Sequence, residues 1–158
     1  MSLRRPTIAL SQWKIAVDLE ATQQLQELDS TPAYKCGCRP CSLWKHNYVA
    51  TIPPDLQAQI KRLQIRLNKP SELYSFGHSD QGEDIRAIFH LSGRIIEGPP
   101  RHQITEFGQQ TNYITIQNVP FVACSIMPIK DNLLDSSYLP LSNIDNIMSI
   151  DIRAHFLN

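Results

Sequence analysis

Hydrophobic and polar positions alternate with a period of two from Trp13 to Leu19, where Trp13, Ile15, Val17 and Leu19 stand against Lys14, Ala16 and Asp18. That is the spacing of a strand with one buried face. A polar stretch rich in Gln and Thr, closed by Asp29-Ser30-Thr31-Pro32, reads as an irregular connection. Beyond it, Leu43, Trp44 and Val49 suggest a short helix that begins near Cys38. Pro40 fits its first turn, because its φ is preset and it has no amide hydrogen to leave unpaired. Pro53-Pro54-Asp55 opens a second helix, in which Leu56, Ile60, Leu63 and Leu67 form one stripe, and Asn68-Lys69-Pro70 ends it.

From residue 72 onward the pattern is β. Strands are expected over Glu72 to Phe76, Ile85 to His90, Arg94 to Glu97, Tyr113 to Gln117, Phe121 to Met127 and Met148 to Leu157. Gly77 to Gly82 and Leu91-Ser92-Gly93-Arg94 look like hairpin loops, and Asn118-Val119-Pro120 breaks two strands. Links this short cannot supply parallel crossovers. The expected architecture is therefore a single α+β domain over residues 1–158, an antiparallel sheet with about two helices in the N-terminal half. Residues 13–67 would supply a strand, a cysteine cluster and the helices, and residues 72–157 would be mainly β.

At 158 residues the chain can bury a core without help from metal or disulfides. Fifteen Lys plus Arg balance fifteen Asp plus Glu, so generic binding to nucleic acid is disfavoured. Lys61, Arg62 and Arg66 then read as a solvated helix surface. Ser11, Gln12 and Lys14 interrupt any secretory apolar run near the start, and no stretch approaches the roughly 18 apolar residues of a membrane span. A cytoplasmic location follows as an expectation, with reduced thiols rather than disulfides at the four cysteines.

Three of those thiols fall within six residues, Cys36-Gly37-Cys38-Arg39-Pro40-Cys41. Zinc takes four tetrahedral ligands, and Cys36, Cys38 and Cys41 can supply three if Gly37 lets the backbone wrap the ion. Candidates for the fourth are His46, Cys124, His78, His90 and His102, with His90 preferred. A ligand from a later strand would clip the cluster to the sheet, so that binding energy becomes folding energy. Cys124, flanked by Val122, Ala123 and Ile126, also reads as a small buried hydrophobe, and His90 as a surface or core residue satisfied by backbone.

A rival reading takes Cys38-Arg39-Pro40-Cys41 as a redox pair, its first thiol activated by a helix N-terminus and a neighbouring arginine. It leaves Cys36 without a role, and no strand leads directly into the pair. The sulfurs packing idly under a loop is a third reading. No G-x-S-x-G, H-E-x2-H, Walker or G-x-G-x2-G pattern occurs, so a hydrolase in the β half would have no visible nucleophile.

Tyr34 before the C-x-C-x2-C cluster, Trp44, the Pro53 to Leu67 helix, Lys69-Pro70-Ser71-Glu72-Leu73-Tyr74 and Phe89-His90-Leu91-Ser92-Gly93 together resemble a family of small bacterial proteins with no known activity. The resemblance spans roughly residues 13–98 and is looser toward Phe156. It implies one α+β unit and joint action of Cys36, Cys38, Cys41 and His90. The chain departs from that pattern in its extra N-terminal residues and in the polar loop from Asp131 to Ser137. The functional expectation is a non-enzymatic, zinc-stabilised interaction or adaptor domain with a protein partner; the alternative is a thiol oxidoreductase using Cys38 and Cys41.

Overall fold

The computed structural model describes residues 5–27, 36–100, 102–129 and 146–157. In chain order the elements are β1 (Thr7–Leu10), β2 (Trp13–Val17), α1 (Leu19–Gln26), α2 (Arg39–Thr51), α3 (Pro54–Arg62), β3 (Glu72–Ser79), β4 (Gly82–Glu97), β5 (His102–Thr105), β6 (Gly108–Thr111), β7 (Ile114–Gln117), β8 (Val122–Pro128) and β9 (Ile147–Leu157). Seven strands form an antiparallel sheet in the order β1-β2-β4-β9-β8-β7, with β3 beside β4, while β5 and β6 make a separate hairpin. The α+β class expected from the sequence is what the chain adopts. No helix among the described residues is long and apolar enough to cross a membrane.

The sixteen-residue β4 organises the sheet. Along one edge β9 pairs with it from Gly82 to Ser92. Its remaining pairings are split: β3 takes Gly82 to Ile88 and β2 takes Gly93 to Glu97. Between those two partners, α1 supplies the missing bonds. The Thr22 hydroxyl donates to the Ser92 carbonyl (3.4 Å) and accepts from the Ser92 amide (3.0 Å), and Gln26 Nε2 donates to the His90 carbonyl (3.2 Å). Buried backbone groups must be paired somewhere, and here two helix side chains stand in for a strand.

Alternation along β4 and β9 sorts the sheet into two faces. Ile85, Ala87, Phe89 and Leu91 of β4 join Met148, Ile150, Ile152, Ala154 and Phe156 of β9 in the core against the helices. Trp44 is the centre of that core, fully buried, with its ring 5.5 Å from Phe156 and 6.1 Å from both Phe89 and Tyr48. Its indole N–H donates to the Leu67 carbonyl at 2.6 Å, so the polar end of the ring is also satisfied. The alternate residues Asp84, Arg86, His90, Ser149, Asp151, Arg153 and His155 therefore face the other way.

Four differences from the sequence reading have physical causes. The stretch after Asp18, expected to be irregular, is the helix α1. Asp18 caps it by accepting from the Ala21 amide at 3.0 Å, but its buried residues are Thr22 and Gln26, so apolar periodicity gives no sign of it. The expected hairpin at Leu91 to Arg94 is absent, and β4 runs straight through. Gly93 serves close approach rather than a turn, because a Cβ there would lie 2.4 Å from the Ala16 carbonyl of β2. The helix expected to run to Leu67 stops at Arg62, and Gln64 takes a positive φ of 64°, yet Ile65 and Leu67 remain buried. Strands β1, β5 and β6 were not expected; the latter two are largely polar and exposed. The Asp29 to Pro32 connection, Tyr34 and the Asp131 to Ser137 loop lie outside the described residues.

Candidate metal centre

Cys38 is the N-cap of α2, in extended conformation with φ −67° and ψ 164°, and Pro40 occupies the first turn as expected. The helix closes immediately, the Ser42 amide donating to the Cys38 carbonyl at 3.0 Å. Cys41 is thereby swung inward and buried, Cys38 is left exposed, and Cys36 is half-buried in the preceding loop. The three sulfurs all lie within 4.8 Å of one another, with Cys36 and Cys38 in hydrogen-bond contact at 3.0 Å. This is a spacing from which three thiols can share one ion. Gly37 is not needed for room, since a Cβ there would meet nothing within 4 Å.

The helix end is fixed to the sheet by the residue between the cysteines. Arg39 makes a two-pronged ion pair with Glu83 of β4, at 2.9 and 3.0 Å, and Ser75 of β3 donates to the same carboxylate at 2.7 Å. Glu83 is buried, so the pair satisfies a charge that would otherwise be costly. The arginine expected to activate a thiol is therefore committed elsewhere, and Lys45 is the cation that acts on Cys36.

Ionisation of the thiols differs within the cluster. Burial, then contact with Cys38 and Cys36, pushes the Cys41 thiol up to about 12. Cys36 moves down from the ordinary thiol value, chiefly through its hydrogen bonds with Cys38. Three adjacent thiolates repel one another, and a bound cation is what reverses that preference and ionises them.

Among the described residues the metal-spaced group holds these three cysteines and no histidine or carboxylate. His90, the preferred fourth ligand, is not brought to them. It points to the face of the sheet opposite α2. It also lies seven residues along β4 from Glu83, the anchor of the helix end, about 23 Å at a strand's rise. The two sites are separated by the thickness of the sheet as well as its length. Cys124 is buried in the core between Ile114 and Ile152, the packing role the sequence allowed, with its thiol pushed up by burial. His78 on β3 is exposed, and His102 belongs to the β5–β6 hairpin. His46 lies on α2 itself, its Nδ1 bonded to the Ser42 carbonyl at 2.8 Å.

A second set of polar residues was missed altogether. On the face away from α2, Arg86 Nε donates to Asp151 Oδ2 at 2.6 Å and the Tyr113 hydroxyl donates to the same oxygen at 2.8 Å. Asp151 is buried, and Arg153 lies beside it between two aromatic rings. The signal was present in β9, where Ser149, Asp151, Arg153 and His155 interleave with Ile150, Ile152, Ala154 and Phe156. A polar set of this kind looks solvated until strands on both sides enclose it.

Comparison with protein-family models, curated proteins and solved structures finds no match to this chain.

Proposed function

We propose that the chain is a non-enzymatic binding domain in which Cys36, Cys38 and Cys41 hold one zinc ion at the exposed N-terminus of α2. The convergence of three sulfurs within 4.8 Å supports this reading. The donor set is soft and anionic, as zinc prefers. Structural zinc sites are normally closed by a fourth protein ligand, whereas this cluster has an exposed side at Cys38. The fourth position is therefore taken by water or by a side chain of a partner protein. The metal fastens the loop to the helix and presents that position outward, while Arg39 and Trp44, rather than a strand-borne histidine, hold the helix on the sheet.

The test is cobalt substitution of the purified, reduced full chain, together with elemental analysis. One zinc per chain is expected, with intense tetrahedral thiolate bands on exchange to cobalt that disappear in Cys41→Ala. A metal-free protein that gives no cobalt spectrum would reject the proposal.

A second reading rests on the placement of Cys38 and Cys41. An exposed thiol at a helix N-cap with a buried partner one turn on is the arrangement of an attacking and a resolving cysteine. It calls for insulin reduction driven by dithiothreitol that is lost in Cys41→Ser, from protein that carries no metal.

A further inference from the structure

On the face of the sheet away from α2, one cation has no ion pair among the described residues. The guanidinium carbon of Arg153 lies 4.4 Å from the ring centre of Tyr113 and 5.1 Å from that of Phe76. Both rings offer their negative π faces to the cation. Among the described residues that guanidinium makes no hydrogen bond or ion pair, and its Nε is buried without a partner. The two acids nearest in register are already committed. Asp151 is bound by Arg86 and by the Tyr113 hydroxyl, and Asp84 is bound by His155 Nδ1 at 2.8 Å. The Arg86–Asp151 pair cancels, Asp84 is hydrogen-bonded to His155, and Arg153 is left without a carboxylate of its own.

A cleft of about 320 Å³ opens beside that charge, lined by Phe76, Asp84, Tyr113, Phe121, Ala123 and Arg153. Phe76 and Phe121 are 52% and 42% exposed, a large apolar area for solvent to cover. Pockets for small molecules have this composition, apolar walls with one or two placed polar groups, and the volume is at the lower end of their range. The guanidinium N–H groups, which make no hydrogen bond among the described residues, are the donors a ligand in this cleft can use. A carboxylate matches that fork with one charge against one and brings an apolar body for Phe76 and Phe121, which inorganic phosphate lacks.

We propose that this cleft binds a small organic carboxylate, whose oxygens are gripped by Arg153 and whose apolar body lies against Phe76, Tyr113 and Phe121. The site is independent of the metal centre, which is on the other face of the sheet.

The experiment is a titration of the isotopically labelled full chain, followed by amide chemical shifts, with benzoate, hexanoate, the neutral isostere benzamide and inorganic phosphate. Benzoate or hexanoate is expected to saturate shifts confined to β3, β7, β8 and β9 around Arg153. Benzamide and phosphate are expected to bind at least about tenfold more weakly. In Arg153→Gln, with spectral dispersion intact, the carboxylate response falls by a similar factor. Because that variant can disturb the sheet, the comparison of benzoate with benzamide on the unaltered chain decides the case. The proposal is overturned if neither carboxylate saturates below about 10 mM. Equal binding of benzamide, or tighter binding of phosphate, overturns it as well.

Discussion

His90 carries a clear pH signature. Burial pushes its pKa down from 6.5 to about 4, so the native protein keeps the ring neutral where the unfolded chain would protonate it. The unfolded state then binds more protons below pH 6.5, and stability falls as pH drops from there to about 4. The full cost is on the order of 3 kcal/mol. Urea melts at pH 7 and pH 5 should show about half of this loss, and His90→Gln should abolish most of it. His155 has the opposite sign: Asp84 raises its pKa, so its contribution is present at low pH and lost as pH rises through the raised value. Its side chain is a quarter exposed and its partner Asp84 more so, and solvent screening keeps that contribution small. At Cys124 the expectation separates packing from ligation: Cys124→Ala should cost about 1 kcal/mol of stability and leave metal content unchanged. Loss of metal in that variant would give the core cysteine a role its surroundings do not suggest.

Elements show where side-chain pattern stops being a guide. The strand from Met148 onward and the helix opened by Pro53-Pro54 were legible because their apolar residues recur at the period of the element, and Ile147–Leu157 and Pro54–Arg62 are the result. Helix α1 was not, because its inward residues are polar and are justified by β4 backbone groups far away in sequence. That makes Thr22 a sensitive position. Thr22→Val keeps the shape of the side chain but leaves the Ser92 amide without its bond, which should destabilise the protein by about 1–3 kcal/mol in chemical denaturation. No measurable change would mean that the edge of β4 is sealed some other way. Arg39 is the comparable link for α2. Arg39→Ala removes the partner of the buried Glu83, which keeps its bond from Ser75 and gains water where the exposed arginine stood, so a loss of about 1–3 kcal/mol is expected, and restoring stability with Glu83→Gln in the same chain would show that the unpaired charge was the cause.

For the molecule as a whole, the core gathers on Trp44, Phe89 and Phe156, and the cysteines sit at its margin. All three ligands come from six consecutive residues, so a bound ion closes only a short loop and constrains little of the unfolded chain. Chelation should therefore lower the melting temperature by only a few degrees and leave the far-ultraviolet circular dichroism of the sheet intact. Complete unfolding on chelation would show that the metal holds more than the helix end. The structure thus gathers the candidate metal ligands at one helix end rather than between the helices and the sheet.

The sequence alone determined the features that depend on near neighbours: the alternation of the strands, the proline-primed helix starts, the antiparallel class and the three sulfurs crowded at one turn. Those follow from local geometry, in which a period of two or 3.6 and a fixed proline φ act within a few residues. Tertiary structure decided which side of the sheet each alternate residue faces and which strand lies beside it. That separation took His90 away from the cysteines, committed Arg39 to Glu83 and enclosed Asp151, Arg86, Tyr113 and Arg153 on a second face. The physical reason is burial: a charge or an imidazole acquires its partners and its ionisation from residues that only folding brings together.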